Sequence, residues 1–245
     1  MVQSFSASQL NTFLQCPYAW QMIYLHKIKT PKTENLFYGS SVHFGLEQFY
    51  RGHDPITSIE DYIRNDPKKE RPRGIDIEKL VSEGKATMEE YLKNGPYLEP
   101  DMIEERKVVD LENPKTHELL PLPFTFKIDL HTQNNLIVDF KTTSGTGLKQ
   151  DDLNRNQGLL YYLANRALYG KPPNGFFQVS LVKRKKPKIV PLTIQYSVDE
   201  EVWVWNLAKK VLDMIATGEY KTARPMVKSF YPCFVKDMCP FHKSL

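Results

Sequence analysis

The spacing of apolar residues changes period along the chain, and the changes divide it into elements. Ser6 followed three residues later by Gln9 has capping-box spacing, and Leu10, Phe13 and Leu14 recur at helical intervals until Pro17. A short helix is predicted there, with a second, aromatic one over Tyr18 to His26 and a polar connection over Pro31 to Leu36. A third helix is predicted after Gly39, with Val42, Leu46, Phe49 and Tyr50 as its stripe, His43 beside that stripe, and Arg51-Gly52 as its stop. From residue 51 to about 74 the chain turns polar, with Pro55, Pro67, Pro72 and a charged run from Lys68 to Arg71, which reads as a mobile insertion loop. Ile77, Leu80, Val81, Met88, Tyr91 and Leu92 then restore a helical pattern that ends at Asn94-Gly95.

The middle of the chain switches to period two. Met102 to Asp110 reads as a strand with a polar return to His117. Phe124, Phe126, Ile128 and Leu130 alternate with Thr125, Lys127, Asp129 and His131, and Leu136, Val138 and Phe140 alternate with Ile137, Asp139 and Lys141. Gln133-Asn134-Asn135 between these runs is a turn signal, so the two strands form a hairpin. Asp151 and Asp152 suit a helix N-terminus, and Leu153, Leu160, Ala164 and Leu168 carry that helix toward Gly170. Strands near Phe176–Val182 and Lys188–Gln195 flank the basic turn Lys183, Arg184, Lys185, Lys186, and a last helix is predicted over Val198 to Thr217. The tail, 219–245, is basic and aromatic.

The chain has 245 residues, 41% apolar and 25% charged, enough to bury a core and too apolar for wholesale disorder. No run approaches the ~18 apolar residues needed to cross a bilayer, and the opening MVQSFSASQL lacks the blocks of a secretory leader. Thirty-three basic against 29 acidic residues give a formal charge of +4, a weak bias toward polyanions. Three cysteines are too few for a secreted disulfide framework. A reducing compartment is expected, the cytoplasm of a bacterium or of a phage-infected cell.

The chemistry converges on the hairpin. With its turn centred on Asn134, Asp129 faces Asp139 while Ile128 faces Phe140 and Leu130 faces Val138. Two carboxylates about 5 Å apart repel unless a cation or proton lies between them. Oxygen ligands suit Mg2+ or Mn2+, and Lys141, two residues on, is placed to hold a water or neutralise a phosphate. The same alternation also fits an ordinary solvated face carrying two acids and three bases.

Asp129 followed by Ile137-Val138-Asp139-Phe140-Lys141-Thr142-Thr143 resembles the core of the PD-(D/E)XK nucleases, especially their RecB-like branch. His43 resembles that branch's amino-terminal helical histidine, Gln157 to Tyr161 its QxxxY motif, and Ser6 to Trp20 its usual opening. The resemblance implies an α/β fold of restriction-endonuclease type, a mixed central sheet flanked by helices, in one domain over 1–245. It implies metal-dependent DNA hydrolysis by an exonuclease or flap-processing enzyme in repair, recombination or phage DNA metabolism. Asp129, Asp139, His43 and the backbone carbonyl of Phe140 become the expected metal ligands, and Lys141 the residue that orients water and stabilises the transition state. A further acid is expected from the preceding strand, Glu104 or Glu105, with Glu105 preferred by spacing. Gln157 and Tyr161 are expected to contact DNA or support the acids. The cleavage expected is in-line expulsion of the 3′ oxygen. A DNA-binding recombination subunit with a vestigial centre, or a purely structural ion site, is the alternative.

Cluster-bearing RecB-like nucleases place one cysteine near the amino end and three at the carboxyl end. Here Cys16, Cys233 and Cys239 match, but Phe230 stands where the fourth would be. An iron-sulfur cluster, a zinc site completed by His242, and reduced structural cysteines all remain open. Lys183, Arg184, Lys185 and Lys186 are candidates for phosphate contact. No helicase motif is present, so any motor, or a recombination partner, would be a separate chain.

Overall fold

A computed structural model describes residues 2–29, 32–67, 71–144, 152–219 and 239, without the side chains of Asp152 and Leu153. Helix α1 (Ala7–Gln15) is capped by the Ser6 hydroxyl, which accepts the Gln9 N–H at 3.2 Å. Pro17 then opens α2 (Pro17–Trp20), continued by a π-helical turn over Gln21–Leu25. α3 (Glu34–Tyr50) starts earlier than its apolar stripe suggests, because the Thr33 hydroxyl caps it by accepting the Leu36 N–H. Much of the expected polar connection before it is therefore its first turn.

The insertion expected as a loop contains a helix, α4 (Pro55–Asn65). Asp54 caps it by accepting the N–H groups of Ile56 and Thr57, Pro55 supplies a ready-made first turn, and Ile59, Tyr62 and Ile63 form its buried stripe. The prolines that read as loop punctuation are a helix start at one end only. α5 (Ile77–Asn94) follows, and α3, α4 and α5 bury Val42, Leu46, Ile59, Ile63, Leu80 and Met88 against one another.

Strands β1 (Pro100–Val109), β2 (Phe124–Thr132), β3 (Leu136–Thr143), β4 (Gly175–Val182) and β5 (Lys188–Ile194) form one sheet in that order. Only β3 and β4 run parallel, joined by the crossover helix α6 (Asp152–Tyr169), so the sheet is mixed. α7 (Val198–Thr217) closes the described fold with a capping box at Ser197 and Glu200. α1, α6 and α7 share one apolar cluster with Phe124, Phe126, Ile128 and Ile137. α3, α4 and α5 share the other with Leu130, Val138, Phe140, Val179 and Leu181. The architecture is α/β, with helices on both sheet faces. Among the described residues no helix is long and apolar enough to cross a membrane.

The hairpin departs from its expected register at one place. Leu130 pairs with Val138 and His131 with Ile137, as expected, but the β2–β3 ladder stops after these two pairs. Ile128 and Phe140 lie in different apolar clusters and are not partners. Ile128 and Leu130, which strict alternation would put on one face, lie in opposite clusters. The irregularity falls at Asp129 and, on the adjoining strand, at Glu104, whose φ is +52°. Pairs Ile103–Leu130 and Glu105–Ile128 leave Glu104 across from Asp129.

Candidate active site

The parting of β2 from β3 frees main-chain groups that would otherwise pair, and a side chain takes their place. Asp129 Oδ2 accepts the Phe140 N–H at 2.8 Å, which ties the two strands together across the gap. Its other oxygen, Oδ1, lies 3.5 Å from His43 Nδ1, and Glu104 Oε1 lies 3.8 Å from the same nitrogen. His43 reaches this point because α3 approaches β3 one turn earlier at Gly39, where a Cβ would stand 2.9 Å from Thr142 Oγ1. Among the described residues, ligand atoms of His43, Glu104 and Asp129 form one group within 4.8 Å of one another. Asp139 is not a member of that group.

Asp139 faces α6. Lys141 Nζ donates to Asp139 Oδ1 at 2.9 Å and to Gln157 Oε1 at 3.1 Å, while Gln157 Nε2 donates to Asp139 Oδ1 and to Tyr161 Oη. Tyr161 Oη donates to the main-chain carbonyl of Lys127, pinning α6 to β2. Gln157 thus holds the carboxylate and the ammonium in one plane of contacts, and its place in this network is behind the lysine. Asp139 is 3% exposed, and its Oδ2 is buried without a hydrogen-bond partner. Beside it in the β3–β4 register is Gln178, 1% exposed, with both amide atoms likewise unpartnered. Nothing in the sequence pattern singled out Gln178.

Charge follows burial and contact. Burial pushes the Asp139 carboxyl up to about 6; Lys141 opposes the rise and the Asp129 charge adds to it. Asp129 is also raised by burial, but His43, Lys141 and the Phe140 N–H outweigh that and hold it below the usual carboxylate range. His43 is lowered by burial and lifted further by Asp129 and Glu104, to about 10. Two neighbouring acids with opposite shifts are characteristic of functional sites.

These groups open into a cleft of about 510 Å³ lined by His43, Glu104, Asp129, Phe140 and Lys141, with Tyr62 of α4 on its rim. Glu105, the acid expected from spacing, lies elsewhere: half exposed, it pairs with Lys107. Glu104 takes the position beside Asp129 and also pairs with Lys127. Alternation along a strand cannot show this choice, because it depends on the left-handed backbone at Glu104. Lys183 is withdrawn from solvent, with Glu83 at 2.7 Å and the Tyr38 ring at 4.4 Å, while Arg184, Lys185 and Lys186 are exposed. Cys16 is buried and caps α2, its Sγ accepting the Ala19 N–H at 3.4 Å. Burial raises the Tyr18 phenol, with smaller contributions from the Cys239 and Cys16 thiols. Cys233 and His242, and with them most of the basic tail, lie outside the described residues.

The sequence model of the PD-(D/E)XK nuclease superfamily matches residues 4–244. The chain belongs to that superfamily. Its fold is similar to that of a protein from Eubacterium rectale described as a "putative exonuclease", with a TM-score of 0.68 and 14% identity over 99% of this chain and 88% of that one. A second solved structure, of SSO0001, has a TM-score of 0.47 and 11% identity over 98% of this chain and 87% of that one. No curated protein matches the sequence.

PD-(D/E)XK nucleases work with divalent metal, and the donor set here suits one. Two carboxylates and an imidazole converge in His43, Glu104 and Asp129, and outside that group the Oδ2 of Asp139 is buried without a hydrogen-bond partner.

Proposed function

We propose that the protein is a Mg2+- or Mn2+-dependent deoxyribonuclease of the RecB-like branch, an exonuclease or flap-processing enzyme of DNA repair, recombination or phage DNA metabolism. The observation that carries this reading is Lys141, which contacts Asp139 and Gln157 and lines the same cleft as the His43–Glu104–Asp129 cluster. Asp129, Asp139, Glu104 and His43 would hold the cation, with the Phe140 carbonyl beside them. When bound, such a cation supplies charge shielding for the phosphodiester and makes water a better nucleophile at neutral pH.

The chain's own groups do the rest. Gln157 sets the position of the Lys141 ammonium, which remains 32% exposed toward the cleft and there faces the phosphate oxygens as negative charge builds on them. Asp129 closes the strand gap by accepting the Phe140 N–H. In the hydrolysis proposed, the oxygen of water bonds to phosphorus, the P–O3′ bond breaks, and the 3′ oxygen takes up a proton, leaving 5′-phosphate and 3′-hydroxyl ends. The test is degradation of end-labelled DNA, single- and double-stranded, linear and circular, with Mg2+ and Mn2+. Wild-type cleavage that is lost in Asp139→Ala and Lys141→Ala, with DNA binding retained, supports the assignment. Equal activity in the variants refutes the site, and an inactive wild-type protein that still binds DNA fits the vestigial subunit instead.

A further inference from the structure

A second cavity, of about 310 Å³, adjoins the active-site cleft. Gln157, Tyr161 and Lys127 form part of its lining, and Lys127 also lines the active-site cleft, so the two spaces share a boundary. Apart from Ala7 and Phe126 its other walls are polar: Ser6, which caps α1, Ser8 and Asn11 from α1, Thr125 from β2 and Arg106 from β1.

Arg106 and Lys127 are direct cross-strand partners in the β1–β2 ladder. Like charges placed opposite each other in a sheet are destabilising. Lys127 finds relief in Glu104, on the active-site side. Arg106 is exposed, and among the described residues no carboxylate pairs with it. The chain thus keeps Arg106 without a carboxylate partner in the lining of a hydroxyl-bearing cavity, opposite a lysine that is paired with the acidic cluster. An anion between the two would remove the repulsion and find several hydrogen-bond donors around it. A planar guanidinium is well suited to a phosphate.

We propose that this cavity is a phosphate subsite, which holds the phosphodiester next to the scissile one and sets the register of the strand in the active site. The proposal rests on the nuclease reading for its substrate, but its chemistry belongs to Arg106, Lys127 and the hydroxyls of Ser6, Ser8 and Thr125. Lys127, which touches both spaces, links occupancy of the subsite to the acids.

The test is binding of a fluorescein-labelled trinucleotide with EDTA present, so that no strand is cut. The trinucleotide has two linkages, and each in turn is replaced by an uncharged methylphosphonate. In the wild-type protein, neutralising one of the two weakens binding about tenfold, the scale of a charge-assisted hydrogen bond. In Arg106→Ala the same replacement costs under about twofold, because the contact is already gone, and the slope of log affinity against log salt falls by about 1. Inorganic phosphate is titrated in parallel. Losses that are equal for both linkages and both proteins overturn the subsite, as does failure of the wild-type protein to bind the trinucleotide. Arg106-dependent binding of inorganic phosphate without any linkage effect overturns the nucleic-acid assignment and leaves a site for the free ion. Failure of the nuclease reading is seen separately, as absence of cleavage with metal while the linkage effect persists.

Discussion

Glu104 and Glu105 differ by one position and occupy opposite chemical situations. Glu104 joins Asp129 and His43 in the cleft, whereas Glu105 is half exposed and paired with Lys107. Glu104→Gln is therefore expected to lower metal-dependent cleavage by at least about 100-fold, while Glu105→Gln stays within about twofold of wild type, measured by initial rates on one labelled DNA. Gln178 presents the opposite case, a residue costly to stability. Its two unpartnered amide atoms are buried beside the unpartnered Oδ2 of Asp139. Gln178→Leu is expected to raise metal-free stability by about 1–3 kcal/mol in urea denaturation and to lower cleavage, since a polar neighbour of Asp139 is lost. The nearness of Asp129, Asp139 and Lys141 was legible because acids and a lysine alternate on a short hairpin, but the expected facing pair of Asp129 and Asp139 was not found, since the β2–β3 ladder stops at Leu130 and Val138. Glu104 and Gln178 were not legible, since one depends on a single positive φ and the other on which strand lies across β3.

At the scale of elements, helices and strands were legible wherever burial repeats with one period. α7 and the two strands of the hairpin fall where the alternation puts them, and the turn at Asn134 sets the first two pairs. The parting of β2 from β3 was not legible, because a period-two pattern continues unchanged through residues 128–130 while the faces they serve change. α4 was concealed by its prolines and charges, although Asp54, Pro55 and the Ile59–Tyr62–Ile63 stripe are complete helix signals. The close approach of α3 to β3 at Gly39 links an element to the site. Gly39→Val would force the helix away from Thr142 and take His43, one turn on, with it. The expected cost is about 1–3 kcal/mol in thermal or urea denaturation, with a fall in Mn2+ affinity by titration calorimetry that a merely unstable, folded control such as Ile59→Val does not show.

Across the whole molecule, two apolar cores hold the sheet between helix layers, and the second core contains buried phenols. Tyr38 donates to or accepts from Thr87 at 2.7 Å, and Tyr50 and Tyr91 share a hydrogen bond of 2.6 Å. Burial pushes Tyr38 and Tyr50 up to about 12 and raises Tyr91 as well. A phenol raised above its unfolded value of ~10 keeps its proton in the fold while the unfolded chain loses it. Stability is then insensitive to these groups below about pH 10 and falls between about pH 10 and 12, by up to ~1.4 kcal/mol per pH unit for each tyrosine. Urea denaturation across that range should show the fall, with phenolate absorbance of these residues appearing together with unfolding; a flat stability profile would contradict it. The three-layer plan itself was legible from the order of helical and alternating segments, whereas the assignment of each helix to a face depends on long-range packing that no local pattern carries.

The most direct measurement is anomalous diffraction from crystals of the protein soaked in Mn2+. The expected result is a peak in the cleft within coordinating reach of Asp129, Glu104 and His43 and of the buried Oδ2 of Asp139. A cleft without such a peak, or manganese held only by exposed carboxylates elsewhere, would contradict a catalytic metal centre at the β2–β3 gap.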